Sequence, residues 1–317
     1  MPVFYSIKSF CQCIRASMCV NAPFASIECF SIFLYSFFDE AFFSAARFDV
    51  SAEVFMIIDF HAHIYPEKIA EKATAAIGAF YDAKAARHGS PENLIKIGSK
   101  IGIEKYIVHS CATKVNQVPS INDYILEQCT LHPEFVGFGT IQIGFEDFEA
   151  EIKRIRRAGI RGIKIHPDLQ KFQADDPWMD NVYEVIAAER MIVLFHAGDE
   201  RYDFSGPVRI ANVLKKHPNL DVVAAHFGGY TEWDESYEYL AGKRLWLDTS
   251  STLWKCPLEK AIKIMNKHGV EKMLFGTDFP MWDPVVELER FNTLGLTGND
   301  RDAVLYKNAL ELLKKNE

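Results

Sequence analysis

Ile57-Ile58-Asp59-Phe60-His61-Ala62-His63 is the stretch on which the fold turns. Its apolar opening reads as a buried strand, and residues two apart on a strand share a face, so the run delivers the imidazoles of His61 and His63 to one spot. Two rings so placed can share a metal ion. Working outward, seven more short apolar runs follow, at 105–109, 135–142, 162–166, 191–196, 221–226, 245–249 and 272–278. Segments of helical period fall between them, including 148–158, 179–189, 208–217, 258–268 and 285–294, and another closes the chain near 300–314. Strands alternating with helices predict a parallel sheet. Eight such units from Met56 onward fill about the 250 residues of a closed barrel, so the expected fold is a single-domain α/β (β/α)8 TIM barrel. The alternative, an open doubly wound sheet, calls for a glycine-rich phosphate loop; no G-x-G-x-x-G or P-loop follows any of these strands.

The 317 residues are 49% hydrophobic and 25% charged, an ordinary globular composition with ample material for a core. The net charge of −8 and the lack of clustered Lys and Arg argue against a nucleic-acid or anionic-membrane partner, leaving a small molecule as the expected one. Seven cysteines, an odd number with no C-x-x-C, imply no disulfide framework and fit a reducing cytoplasm. Cys111 ends the second strand; there it is either a small buried hydrophobe or a neighbour of the site.

Residues 1–55 differ from the rest. They hold 11 of the 24 phenylalanines and show neither helical nor strand period. The expectation is an extension, unstructured or arising from a misassigned start, ahead of a functional barrel over 56–317. A targeting segment is the rival reading: residues 30–38 are apolar, Lys8 and Arg15 precede them, and Ser44-Ala45-Ala46 follows. The apolar run is too short to span a bilayer.

Position sorts the ten histidines. His132, His217 and His268 sit at helix ends, where an imidazolium would meet the negative end of the helix dipole, and His88 reads as surface. The other six, His61, His63, His109, His166, His196 and His226, fall at the ends of strands 1, 2, 4, 5 and 6, which in a barrel converge on the face where sites are built. Strand 8 adds Asp278, a carboxylate that is costly to bury unless paired or bound to a cation. Histidines with an aspartate suit Zn²⁺, with Mn²⁺ or Fe²⁺ as alternatives. His109 reads as a core histidine with its hydrogen bonds satisfied.

The H-x-H of strand 1, Phe195-His196-Ala197-Gly198, Ala225-His226-Phe227-Gly228-Gly229 and Gly276-Thr277-Asp278-Phe279-Pro280 together resemble the amidohydrolase superfamily. They are most similar to its amidohydrolase-related branch of metal-dependent hydrolases and aminocarboxymuconate-semialdehyde decarboxylase-like proteins. The resemblance covers 56–317. It implies one divalent metal on His61, His63, His196 and Asp278, with His226 as the acid/base or substrate-polarising residue and Asp278 also able to accept a proton. Such a metal lowers the pKa of bound water to about 7 and polarises a carbonyl. It further implies a possible homodimer.

Lys164 and His166 alternate with isoleucines and should face the barrel interior. Lys164 is expected to bind a substrate carboxylate or support the site, the bland alternative being a pair with a buried acid; in binuclear members of the superfamily a carboxylated lysine here bridges two metals. His166 and Arg201 complete the expected substrate-binding set, Arg201 as a bidentate clamp for a carboxylate. Trp254 and Trp282 are either pocket walls or loop anchors. The leading expectation is hydrolysis of a small ester, lactone or amide. Non-oxidative decarboxylation of an aromatic or unsaturated acid, and a non-catalytic metal-binding barrel, are the alternatives.

Overall fold

A computed structural model of the chain describes residues 56–316; the expected extension over 1–55 lies outside the described residues. Eight strands form one parallel sheet in sequence order: β1 Ile57–His63, β2 Ile103–His109, β3 Phe135–Thr140, β4 Gly162–Ile165, β5 Ile192–Phe195, β6 Asp221–Ala224, β7 Trp246–Asp248 and β8 Met273–Leu274. Closure between β8 and β1 is made by backbone hydrogen bonds from Phe60 N to Phe275 O (2.8 Å), Asp278 N to His61 O (2.8 Å) and His63 N to Phe279 O (2.7 Å). The seam therefore lays the segment carrying Asp278 along the H-x-H pair. This is the (β/α)8 barrel the sequence predicts.

β1 and β2 end where the sequence reading places them, and β3 to β8 are shorter by one to four residues at their functional ends. His166, His196 and His226 stand just beyond β4, β5 and β6, and β8 is only two residues long. The chain leaves the ladder there because the following loops turn through left-handed backbone: His226 (φ 62°), Phe227 (52°), Ser251 (45°) and Asp278 (55°). Non-glycine residues held so are costly and cluster at functional sites. The helices predicted from 179, 208 and 285 also start earlier, at Pro177, Pro207 and Pro284. Asp176 and Asp283 accept hydrogen bonds from Trp178 N (2.9 Å) and Val285 N (2.8 Å), and Pro177 and Pro284 occupy the first turn, so these caps begin the helices Pro177–Ala188 and Pro284–Asn292.

Two layers of core follow from strand alternation. Outward-facing Ile163, Ile165, Val193, Phe195 and Val222 pack under the helices, while inward-facing Phe60, Ile107, Phe138, Leu194, Val223 and Leu274 fill the barrel. In β1, Ile58 and Phe60 join that inner cluster and Ala62 the outer layer, while His61 and His63 both turn to Asp278 at the mouth. A break in the β1–β2 register between Asp59 and Ala62 makes the switch of phase. Asp59, fully buried, holds it by accepting from His61 N (3.0 Å), Thr277 N (2.9 Å) and Thr277 Oγ1 (2.6 Å). With the lower barrel packed solid, the polar residues collect at its C-terminal mouth. No helix among the described residues is long and apolar enough to cross a membrane.

Candidate functional site

Seven of the eight strands bring side chains to the mouth, and they gather in two groups with His226 between. On the β1, β2 and β8 side, Asp278 Oδ1 lies 3.4 Å from His61 Nε2 and 3.5 Å from His63 Nε2. His109 packs edge-on against His63, ring centroids 4.3 Å apart. His61, His63 and His109 each present a nitrogen within 4.8 Å of the others. On the β4 and β5 side, the rings of His166 and His196 stack at 3.9 Å, and Asp168 Oδ2 lies 3.7 Å from His196 Nε2. These three form a second group able to hold a cation. Of the residues read from the sequence as ligands, His61, His63 and Asp278 thus meet on one side, and His196 stands across the mouth.

Hydrogen bonds fix the tautomers. His61 Nδ1 donates to Asp248 Oδ2 (2.9 Å), which leaves Nε2 with its lone pair toward Asp278 and toward Lys164 Nζ, 3.1 Å away. His226 Nδ1 donates to Ser250 O (3.0 Å), so its Nε2 accepts from His196 Nδ1 (3.0 Å). His196 Nε2 is then itself an acceptor, facing the Tyr81 hydroxyl at 3.4 Å, and Tyr81 in turn stands 2.8 Å from His166 Nε2. The contact between His196 and His226 depends on two close loops: a Cβ on Gly198 (φ 78°) would fall 2.4 Å from Gly229 O.

Burial dominates the electrostatics. It pushes the imidazoles of His61, His63, His109, His166, His196 and His226 below the usual histidine range, keeping them neutral with lone pairs available. Asp278 goes the other way: burial works to raise it, but the hydrogen-bonded His63 and nearby His61 hold it well below the carboxylate range. Its second oxygen accepts from Ser251 Oγ (2.5 Å), which also accepts from Trp282 Nε1 (2.6 Å). Neutral imidazoles converging with an anionic carboxylate are the donor set a divalent cation takes, and the residues fit a metal. Burial lifts Asp59 and Asp168 to about 7.

Three expectations need correcting. Lys164 is fully buried but has no carboxylate within ion-pairing distance among the described residues, so it is not half of a buried salt bridge; burial lowers its pKa. His109 is not satisfied: neither ring nitrogen has a hydrogen-bond partner. His268 is no imidazolium at a helix end, because it is buried, accepts from Gly242 N at 3.2 Å through Nδ1, and is pushed down to about 4. Arg201 is at the mouth, but its guanidinium already grips Asp199 through Nε (2.8 Å) and Nη2 (2.7 Å) and Phe80 O through Nη1 (2.7 Å). Trp254 and Trp282 are loop anchors, tied to Ser251 and lying 5.3 Å apart in a row that continues to Tyr230.

Sequence reasoning missed Asp248, Asp59, Asp168 and Tyr81. Asp248 carried the same signal as Asp278, an acid ending an apolar strand in Leu247-Asp248-Thr249. It is fully buried and accepts from His61, His226 N (3.0 Å), Ser250 N (3.0 Å) and Ser250 Oγ. Tyr81 follows the helix Glu67–Phe80 and carried no signal at all.

Comparison with known proteins agrees with the fold and motifs. The Amidohydrolase family model matches residues 58–315. The chain belongs to that family, as the amidohydrolase-related motifs imply. No curated protein matches it. Among solved structures it resembles an uncharacterized TIM-barrel protein from Bordetella bronchiseptica (20% identity, TM-score 0.66, covering 82% of this chain and 99% of that one). It also resembles a dihydroxybenzoic acid decarboxylase from Polaromonas with bound manganese and 2-nitroresorcinol (16%, TM-score 0.64, 82% and 97%). A third is a probable 2-pyrone-4,6-dicarboxylic acid hydrolase from Acinetobacter baumannii with citric acid bound (16%, TM-score 0.62, 81% and 99%). Decarboxylases of 2,6-dihydroxybenzoate recur among the other neighbours. At these identities the likeness shows the shared barrel.

Proposed function

We propose that the protein is a metal-dependent, non-oxidative decarboxylase of a small aromatic or unsaturated carboxylic acid. The observation that carries this reading is Lys164: a fully buried amine, 3.1 Å from His61 Nε2, with no acidic partner in reach. A substrate carboxylate would supply the missing counter-charge and favour the ammonium form that burial disfavours. The row Trp282, Trp254, Tyr230 and Tyr81, with successive ring centroids 5.3, 6.4 and 5.3 Å apart, offers flat faces to an aromatic ring. Decarboxylases among the neighbours, one with manganese, support the same choice over the hydrolase first expected from the motifs.

In this reading His61, His63, His196 and Asp278 hold one divalent ion, Zn²⁺ or Mn²⁺. The ion supplies positive charge that orients and polarises oxygen atoms of the substrate. Lys164 binds the carboxylate, and the aromatic row excludes water from the ring. The bond from ring carbon to carboxylate carbon breaks, CO₂ leaves, and the electron pair left on the ring carbon takes a proton. His226 would relay that proton from water through Nε2, an acceptor in the resting site; its Nδ1–H is pinned to Ser250 O, so the ring cannot turn away. His166 and Tyr81 position the opposite side of the substrate, and Arg201 organises the loop through Asp199.

A second reading, hydrolysis of a lactone or amide, draws on Asp278. A carboxylate held ionised beside two imidazoles is suited to accept a proton from water rather than give one to carbon. The test is the full chain loaded with Zn²⁺ or Mn²⁺, assayed against hydroxybenzoates and unsaturated carboxylic acids for CO₂, and against lactones and amides for acid release. Metal-dependent CO₂ is the expected result. Acid release without CO₂ replaces the first reading with the second, and metal binding without either leaves a non-catalytic barrel.

A further inference from the structure

Resting on the proposed metal centre, we infer that His109 is an additional ligand of its ion, so that β1 and β2 present a three-imidazole face made by His61, His63 and His109. None of the four motifs that define the family resemblance contains this residue.

The first observation is that His109 is fully buried with both ring nitrogens unpartnered. Buried polar atoms are nearly always satisfied, and a ring missing both contacts calls for a partner of another kind. His268 shows the ordinary case, one nitrogen bonded to backbone and one bare. The second is position. His109 is the ladder partner of His63, in register across β1 and β2, so backbone pairing fixes its place beside the H-x-H pair. The ring centroids lie 4.3 Å from His63 and 5.0 Å from His61, and the three side chains present nitrogens within 4.8 Å of one another. The third is chemistry. Its ring neighbours are imidazoles, and His63 meets it edge-on at 88°, a geometry that packs the ring without satisfying its lone pair. A borderline divalent cation is the partner that imidazole lone pairs share.

The experiment uses the full chain, stripped of metal and titrated with Co²⁺ and Zn²⁺. Affinity is read by competition with a chelator, and ligation by the hyperfine-shifted imidazole N–H resonances of the Co²⁺ form. His109→Ala is expected to weaken Co²⁺ binding at least 100-fold and to remove one such resonance, as His63→Ala does, while His268→Asn changes neither. Unchanged affinity with the full set of resonances in His109→Ala overturns the inference and leaves the metal centre standing. A wild-type chain that binds no Co²⁺ overturns both. If His109→Ala does not fold, His109→Gln preserves size and polarity for the same measurement. In the wild type, the ¹⁵N ring resonances of His109 shift when Zn²⁺ is added if it ligates; unmoved resonances with Zn²⁺ bound sink the inference.

Discussion

Histidines at the mouth of this barrel and histidines in its shell are built from the same side chain to opposite ends. His217, in the shell, closes the helix Pro207–Lys216 and pairs with Asp180 at 3.0 Å; His268 ends Leu258–His268 and accepts from Gly242 N. Each is tied to one neighbour and finishes a local structure. At the mouth, buried His61, His166, His196 and His226 and half-buried His63 are bonded to one another, to Tyr81 and to carboxylates, with acceptor nitrogens converging. Packing neutral bases side by side does little for the fold. The difference separates histidines that finish a local structure from histidines gathered where a barrel builds its site.

The sharpest way to break this division is His61→Ala. Removing a nitrogen that meets Asp278 and Lys164 should lower metal-dependent kcat/KM by about a thousandfold or more, as loss of a metal ligand does. Because the mouth is polar and strained, the melting temperature should stay within a few degrees of wild type or rise. A large fall in stability in apo protein would show that the mouth is structural after all.

Asp248→Asn probes how the mouth is held rather than what it holds. The carboxylate takes the Nδ1–H of His61 and the backbone N–H of His226, so one acid sets the His61 ring and the backbone that carries His226. An amide can present its NH₂ to His61 and turn the tautomer. Metal affinity, measured by chelator competition, should drop about 10- to 100-fold. Unchanged affinity would mean that His61 is oriented by packing alone.

Tyr81→Phe should act less strongly. The hydroxyl stands 2.8 Å from His166 Nε2 and 3.4 Å from His196 Nε2, and its loss leaves the ring in the aromatic row. A fall in kcat/KM of about 3- to 10-fold, without loss of metal, is expected for one removed hydrogen bond. An equal fall in metal affinity would place Tyr81 on the metal side of the mouth.

How much of this was legible in the sequence follows the same division. Strand alternation announced the barrel, because a residue's face in a strand depends only on its neighbours two away, and the strand-end histidines followed from that. Contacts between distant segments were not legible. That Lys164 lacks an acid, that His109 lacks any partner, and that Arg201 is taken by Asp199 depend on which loops meet across the mouth. The phase switch in β1 was hidden for a related reason: Asp59 looks like a polar interruption in an apolar strand, and its work is done by Thr277, far along the chain. Asp248 alone was within reach, through the signal that identified Asp278.

The shell supplies the smallest functional effect and the clearest sign. His268 has its pKa lowered to about 4, chiefly by burial, against an ordinary value of 6.5. The unfolded chain therefore binds a proton below pH 6.5 that the folded chain refuses until about pH 4, and stability must fall with pH across that window. Each tenfold difference in proton affinity is worth about 1.4 kcal/mol, so the loss approaches roughly 3 kcal/mol by pH 4. Above pH 6.5 the residue contributes no slope. His268→Asn cannot take up the proton, so urea unfolding of wild type and variant should diverge on acidification, the variant losing less, while activity at neutral pH stays unchanged. Parallel stability curves between pH 6.5 and 4 would show that His268 is already protonated in the fold, and the shell histidine would then be the dipole partner its place at a helix end first suggested.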